Sequence, residues 1–188
     1  VVADFPVHCR HLPYVSRLDS RSAENIDLVI LHCTELPDLV TARQYGEKIF
    51  YEHSLTGNSG HYYIERSGLI EEWVPTVRIA HHTRGYNPRS IGIELDNMGR
   101  YPDWYDSRRQ RMTQGYPAAQ LDSLVALLQR LCDHLPALRW ISGHSDLDRS
   151  RIEASDNPSL TVFRKRDPGP MFPWDDFMPL ISLDFFQP

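Results

Sequence analysis

Residues Asp27–Cys33 read DLVILHC, and Thr34–Asp38 follow as TELPD. A short, nearly continuous apolar run marks a strand buried on both faces, the kind found inside a sheet covered by helices. Pro37 ends it, and Asp38 is placed to cap a helix running to about His53, with Leu39, Ala42, Ile49 and Phe50 as its buried stripe. Two β-rich runs, His61–Glu65 and Leu69–Val74, flank Arg66-Ser67-Gly68 and read as a hairpin. A further strand is expected at Ser90–Leu95. Pro117 opens a periodic helix to about His134 that buries Leu121, Leu124, Val125, Leu127, Leu128 and Leu131. Leu138–Ser142 completes the strands. Alternating strands and helices predict an α/β fold, a single domain with a central mixed β-sheet flanked by helices.

On either side of this frame the signals weaken. Residues 1–24 mix Pro, Arg, Ser and His without periodicity and read as an irregular N-terminal arm, so the domain proper is expected at 25–188. Two polar excursions, near 97–115 and 150–163, read as inserted loops. The first carries Tyr101, Trp104, Tyr105, Arg108, Arg109 and Arg111, a set suited either to stacking on a sugar or to a solvated loop.

Composition narrows the function classes. The 188 residues are 41% hydrophobic and 24% charged, with net charge −5, so the basic excess needed to hold a phosphate backbone is missing and no nucleic-acid partner is expected. No apolar run approaches the roughly 20 residues of a membrane span. The start, Val1-Val2-Ala3-Asp4, has neither an initiator Met nor a signal-peptide pattern, which leaves secretion open. Cys9, Cys33 and Cys132 are odd in number and widely spaced, which gives no disulfide framework and no CxxC knuckle. A monomer is expected.

Three residues can carry metal chemistry. His32 and His144 each fall at the C-terminal end of an expected strand, the edge where open α/β sheets gather ligands. Asp167 sits in an Asp-Pro-Gly turn whose stiff backbone can fix a carboxylate. Two imidazoles and one carboxylate leave the fourth position of a tetrahedral zinc site open to water, the pattern of a catalytic site. Taken singly, each has an ordinary structural reading: a hydrogen-bonded imidazole or a turn-forming Asp.

The blocks LHCT at Leu31, GHYYIERSGLI at Gly60, AHHTRGYNPRSIGIEL at Ala80, GHSD at Gly143 and KRDPGPMFPW at Lys165 occur in that order, with a long helix before GHSD. In this the chain resembles the type 2 N-acetylmuramoyl-L-alanine amidases, the zinc family that includes T7-type lysozyme and the peptidoglycan recognition proteins. The likeness covers about Asp27 to Trp174. It implies Zn2+ on His32, His144 and Asp167, with Glu94 as general base or water-orienting carboxylate and Lys165 on the oxyanion. It also implies hydrolysis of the amide between N-acetylmuramic acid, or its anhydro form, and L-alanine, with peptidoglycan or muropeptides as substrate. His82 matches a histidine of the family's active-site rim and His61 one at a strand opening. Tyr86, Asn87 and Arg89 surround that rim and are candidates for substrate binding, Arg being the best suited to a carboxylate.

The chemistry is coherent without the likeness. Zinc lowers the pKa of bound water to about 7 and polarises a carbonyl, a nearby carboxylate can shuttle the proton, and a fixed cation stabilises an oxyanion. Competing readings put Glu94 on a solvated sheet face and Lys165 in the solvated basic run Arg164–Arg166. The 150–163 stretch departs from the family spacing and admits Asp146, Asp148 or Asp156 as a third ligand, ranked below Asp167. His81 stands where relatives carry Trp, so His81 or His82 can be the functional imidazole. A non-catalytic peptidoglycan-binding module is the main alternative; a peptidase is disfavoured because no HExxH motif is present. The envelope or a secreted setting is the expected compartment, with cytoplasmic muropeptide recycling as the other option.

Overall fold

The structure is a computed structural model that describes residues 5–188; the Val1–Asp4 start lies outside the described residues. In chain order the elements are β1 (Val7–Cys9), β2 (Leu28–Cys33), α1 (Leu39–Gly46), β3 (Tyr62–Ile64), β4 (Ile70–Glu72), β5 (Ser90–Leu95) and α2 (Ala118–His134). There follow β6 (Trp140–Gly143), α3 (His144–Leu147), β7 (Arg151–Glu153), β8 (Thr161–Phe163), α4 (Trp174–Phe177) and β9 (Asp184–Phe185). The apolar run Asp27–Cys33 forms the middle of the sheet: β2 is buried at all six residues, lying parallel to β5 on one side and β6 on the other. The main sheet has seven strands in the order β1-β4-β3-β5-β2-β6-β9 and is mixed, with β3 and β4 forming the antiparallel hairpin.

Two apolar clusters cover the two faces of this sheet. In one, Leu124, Leu127, Leu128 and Leu131 of α2 pack on Val29, Leu31, Ile91 and Ile93. Polar side chains fix the helix on the same face: Gln120 donates to the Ile64 carbonyl at 2.8 Å, and Ser123 to the Gly68 carbonyl at 2.7 Å. The other cluster joins Leu12, Tyr14 and Leu18 to Tyr63, Trp73 and Ala42, with the Tyr63 and Trp73 rings stacked 3.4 Å apart.

Four expectations change. The arm is not wholly irregular: β1 pairs in parallel with β4, Val7 opposite Ile70, and Leu12, Tyr14 and Leu18 are buried. A three-residue strand held by backbone pairing to a distant segment leaves no periodicity to read. The first helix stops at Gly46, not His53, although Asp38 caps it by accepting from the Thr41 N–H at 2.7 Å. Beyond Gly46 the chain folds back through a Tyr51–Thr56 bridge, so Ile49 and Phe50 are exposed, and Phe50 lines a cleft. The 150–163 insertion is a two-stranded hairpin, β7 against β8. β9, which has no counterpart in the sequence reading, pairs with β6.

Leu124 is fully buried beneath the sheet. Leu124→Ala is expected to lower unfolding stability by about 2–5 kcal/mol, read as a lower urea midpoint at unchanged m-value; a loss below about 1 kcal/mol would show that α2 does not carry this core.

Candidate active site

Parallel pairing brings three strand ends to one place. β2 runs past the end of β6, so His32, its fifth residue, projects beside His144, which begins α3 directly after Gly143. Asp167 arrives from a distant turn. That turn is held by the Ser145 N–H bonded to the Asp167 carbonyl at 2.9 Å and by Tyr116 Oη donating to the Pro168 carbonyl at 2.6 Å. Gly143 permits the approach, since a Cβ there would lie 3.0 Å from the Pro168 ring. The result is a convergent cluster: Asp167 Oδ2 lies 2.8 Å from His32 Nδ1 and 3.0 Å from His144 Nδ1.

All three residues are buried, and one ligand atom from each lies within 4.8 Å of the others, so the group can hold a metal ion. Asp167 Oδ1 and His144 Nε2 are buried without a hydrogen-bond partner. A buried acceptor left unsatisfied costs about 1–3 kcal/mol, and more for a charged group, a debt that a bound cation would cancel. The donor set therefore fits a metal. The other carboxylates considered are engaged elsewhere or outside the cluster: Asp148 with Arg164 and Ser150, Asp156 with Ser107, and Asp146 half-buried beside Gly143.

A layer of hydrogen bonds orients His32. Its Nε2 lies 3.0 Å from His82 Nδ1 and 3.3 Å from Thr83 Oγ1, while His82 Nε2 lies 3.3 Å from Ser90 Oγ. In the tautomer a metal ligand needs, His32 Nε2 would donate to His82 and leave the Nδ1 lone pair to a cation in the cluster. Asn87 supports this layer: its Oδ1 accepts from the backbone N–H of His82 at 3.1 Å and of Thr83 at 2.7 Å. Gly92 leaves room for the His82 ring, which a Cβ would meet at 2.6 Å.

The remaining rim candidates separate. Asn87, His81 and His82 line the cleft. His61 is fully buried behind His82, its Nδ1 accepting from the Gly92 N–H at 3.0 Å and its Nε2 placed 3.0 Å from the Arg78 carbonyl. It has no face on the cleft. Arg89 is paired with Asp27 and Tyr86 has its ring 6.3 Å from Phe186, and neither lines the cleft. Side-chain direction separates them from Asn87, which lies between them and turns its amide to the His82 and Thr83 N–H, whereas the Arg89 guanidinium turns to Asp27 and the Tyr86 ring to Phe186.

Glu94 stands opposite His32 in the β2–β5 register, and its Oε1 is 3.9 Å from His32 Nδ1. Gly60 makes space for it, a Cβ there meeting Glu94 Cγ at 2.9 Å. Burial, then the charge of Asp167, pushes the Glu94 carboxyl up to about 8, while Lys165 pulls the other way. Burial and then the charge of His144 depress His32 to about 4, which keeps its imidazole neutral. Burial opposes ionisation of Asp167, yet the His144 charge, hydrogen bonds from His144 and His32, and Lys165 hold it well below the usual carboxylate range.

These groups open into a cleft of about 570 Å³ that Lys165, Tyr45, Tyr51, Asn58, Trp104 and Tyr105 also line. Of the aromatic loop residues, Trp104 and Tyr105 reach the cleft, whereas Arg108 projects outward in a pair with Asp106. The loop is fastened by a pair invisible in the sequence. Arg100, 3% exposed, donates to both Glu35 oxygens at 2.7 Å and to the Phe163 carbonyl at 2.9 Å. Trp104 Nε1 donates to the Glu35 carbonyl at 2.9 Å. This clamp ties the end of β2, the 97–115 loop and the segment leading to Lys165.

The chain is a mixed α/β domain whose strand ends bring together a buried two-histidine, one-carboxylate cluster with the donor set of a mononuclear metal site. The chain belongs to the N-acetylmuramoyl-L-alanine amidase family, whose sequence profile matches residues 22–170. The 1,6-anhydro-N-acetylmuramyl-L-alanine amidase AmpD of Escherichia coli K12 is 32% identical over 135 residues, 67% of this chain and 60% of that protein. The chain thus spans about three fifths of the length of such curated relatives. Among solved structures, the N-acetylmuramoyl-L-alanine amidase LysC from Clostridium intestinale has TM-score 0.67 at 18% identity, covering 95% of this chain and 99% of that one. The E. coli amidase AmiD, in complex with the substrate anhydro-N-acetylmuramic acid-L-Ala-D-gamma-Glu-L-Lys, has TM-score 0.62 at 22% identity, covering 84% and 58%.

Gly92→Ala is expected to displace the His82 ring and weaken divalent-metal retention by about 10–100-fold, the usual cost of losing a ligand's orienting partner. Competition against a chromogenic chelator reads this; unchanged affinity would show that His82 does not orient His32.

Proposed function

We propose that the chain is a monomeric zinc amidase that hydrolyses the bond between the lactyl group of anhydro-N-acetylmuramic acid and the L-alanine of a muropeptide. The observation that carries this reading is the buried convergence of His32, His144 and Asp167 beside Glu94. The three would hold Zn2+, which when bound supplies a Lewis acid and an acidified water at neutral pH. The anhydro-sugar substrate class is supported by the AmpD relatives and the AmiD complex. The expected lean to the envelope has no support among these matches. No helix of the described residues is long and apolar enough to cross a membrane.

In this reading each residue has one task. Glu94, next to the cluster and half-buried in the cleft wall, takes the proton of the attacking water and passes it to the leaving L-alanine nitrogen. The charge of Lys165 favours its carboxylate form, and a cation held by the cluster would favour it further. Lys165, lining the same cleft, stabilises the oxyanion that develops on the scissile carbonyl. His82, Thr83 and Asn87 keep the first imidazole in its ligating tautomer, and Trp104 and Tyr105 offer ring faces to the sugar. His61, Tyr86 and Arg89 take no part in substrate contact.

Release of peptide with an L-alanine N-terminus from anhydro-muropeptide tests the reading. His32→Ala, His144→Ala and Asp167→Ala are expected to lose both metal and turnover. Glu94→Ala should keep metal and lose about 10²–10⁴-fold in kcat, and Lys165→Ala should lose about 10²–10³-fold without unfolding. Full activity in Glu94→Ala would overturn its role as base, and a metal-loaded chain that binds muropeptide without cutting it would make this a recognition module.

A further inference from the structure

Outside the cleft, on the outer edge of the sheet, three unlike ligand side chains meet. Cys9 and His11 lie two residues apart on the extended arm and so share one face, while Arg10 between them turns away to Glu71 at 2.7 Å. Cys9 stands opposite Glu72 in the β1–β4 register, and backbone pairing continues past the strand, with the Leu12 N–H bonded to the Trp73 carbonyl at 3.0 Å. The thiol, the imidazole and the carboxylate consequently converge. His11 Nε2 is 2.8 Å and Cys9 Sγ 3.9 Å from the same oxygen, Glu72 Oε1. All three ligand atoms lie within 4.8 Å of one another, and Cys9 and His11 are exposed.

We propose that Cys9, His11 and Glu72 form a second divalent-metal site, of the zinc class, that pins the N-terminal arm to the edge of the sheet. Bond lengths of about 2.0–2.3 Å at tetrahedral angles place ligand atoms roughly 3.3–3.7 Å apart, so the side chains need move by no more than about 1 Å to close on one ion. The mixed S, N, O set selects a borderline-soft cation over Mg2+ or Ca2+, which prefer oxygen alone. An orienting partner is already in place: Tyr62 Oη donates to Glu72 Oε2 at 3.0 Å, leaving Oε1 turned to Cys9 and His11. Tyr62 sits beside Glu72 in the β3–β4 register, so the fold itself fixes this bond. β1 is only three residues long, pairs on one side and leaves His8 and Cys9 exposed, so a shared ion adds a side-chain link to its backbone pairing.

Co2+ titration of the metal-free full chain separates this site from the cleft. The His32 cluster offers nitrogen and oxygen donors, so thiolate-to-cobalt charge-transfer absorption in the near ultraviolet reports a cysteine-containing site. The expected result is two bound equivalents. The charge-transfer band should vanish in Cys9→Ser, persist in His144→Ala, and need at least tenfold more Co2+ in His11→Ala. Tyr62→Phe should weaken the site by about 10–100-fold. Cys9→Ser should leave amidase turnover unchanged. A single equivalent with no charge-transfer band would overturn the proposal and leave an ordinary surface pair of His11 with Glu72. A band that survives Cys9→Ser would overturn it equally, by assigning the thiolate to another cysteine.

Discussion

A carboxylate buried between two imidazoles constrains everything around it. Asp167 has almost no access to water, and its Oδ2 faces two ring nitrogens while its Oδ1 faces no partner. An ionised carboxylate in that position is expensive unless opposite charge or several donors accompany it. The fold supplies part of the compensation through His32, His144 and the field of Lys165, and the cluster has the donor set for a cation that would supply the rest. The parallel registers of β5, β2 and β6 put His32, Glu94 and His144 on the same sheet edge, and the turn at Pro168 and Gly169 delivers Asp167 to it.

Around that centre the structure spends its buried polar groups on orientation. His82, Thr83, Ser90 and Asn87 form a chain of contacts whose purpose is the ring angle of His32, and glycines at 60, 92 and 143 make room where a Cβ would collide. Glu35 and Arg100 do the same for the cleft wall. Their pair is almost dry, and removing one partner of such a pair would strand a buried charge, at a cost of about 3–5 kcal/mol. This gives the irregular 97–115 loop a fixed anchor without any secondary structure of its own.

Local pattern made part of this legible. The β2 run and the Leu-rich α2 appear where apolar spacing puts them, and Ser90–Leu95 is matched residue for residue, because each buries against a single continuous layer. His32, His144, Asp167, Glu94 and Lys165 were legible as a set through strand-end placement and the ordered blocks, and the structure brings them to one cleft. What was hidden depends on pairing between distant segments. β1 and β9 are two or three residues long and exist through their neighbours. α1 stops early because residues 47–56 turn back to wall the cleft. His61, Tyr86 and Arg89 sit near the rim in sequence, yet His61 is buried behind His82, and the other two turn their side chains to Phe186 and Asp27 while Asn87 between them reaches the cleft. Nothing in the sequence announces that Glu35 and Arg100, 65 residues apart, will find each other.

Crystals grown with zinc and measured on both sides of its absorption edge give the most direct view of the central cluster. An anomalous peak about 2.0–2.2 Å from one nitrogen each of His32 and His144 and from an Asp167 oxygen is the predicted outcome. A map with no peak among those three side chains, or with the ion held by other ligands in the cleft, would contradict it.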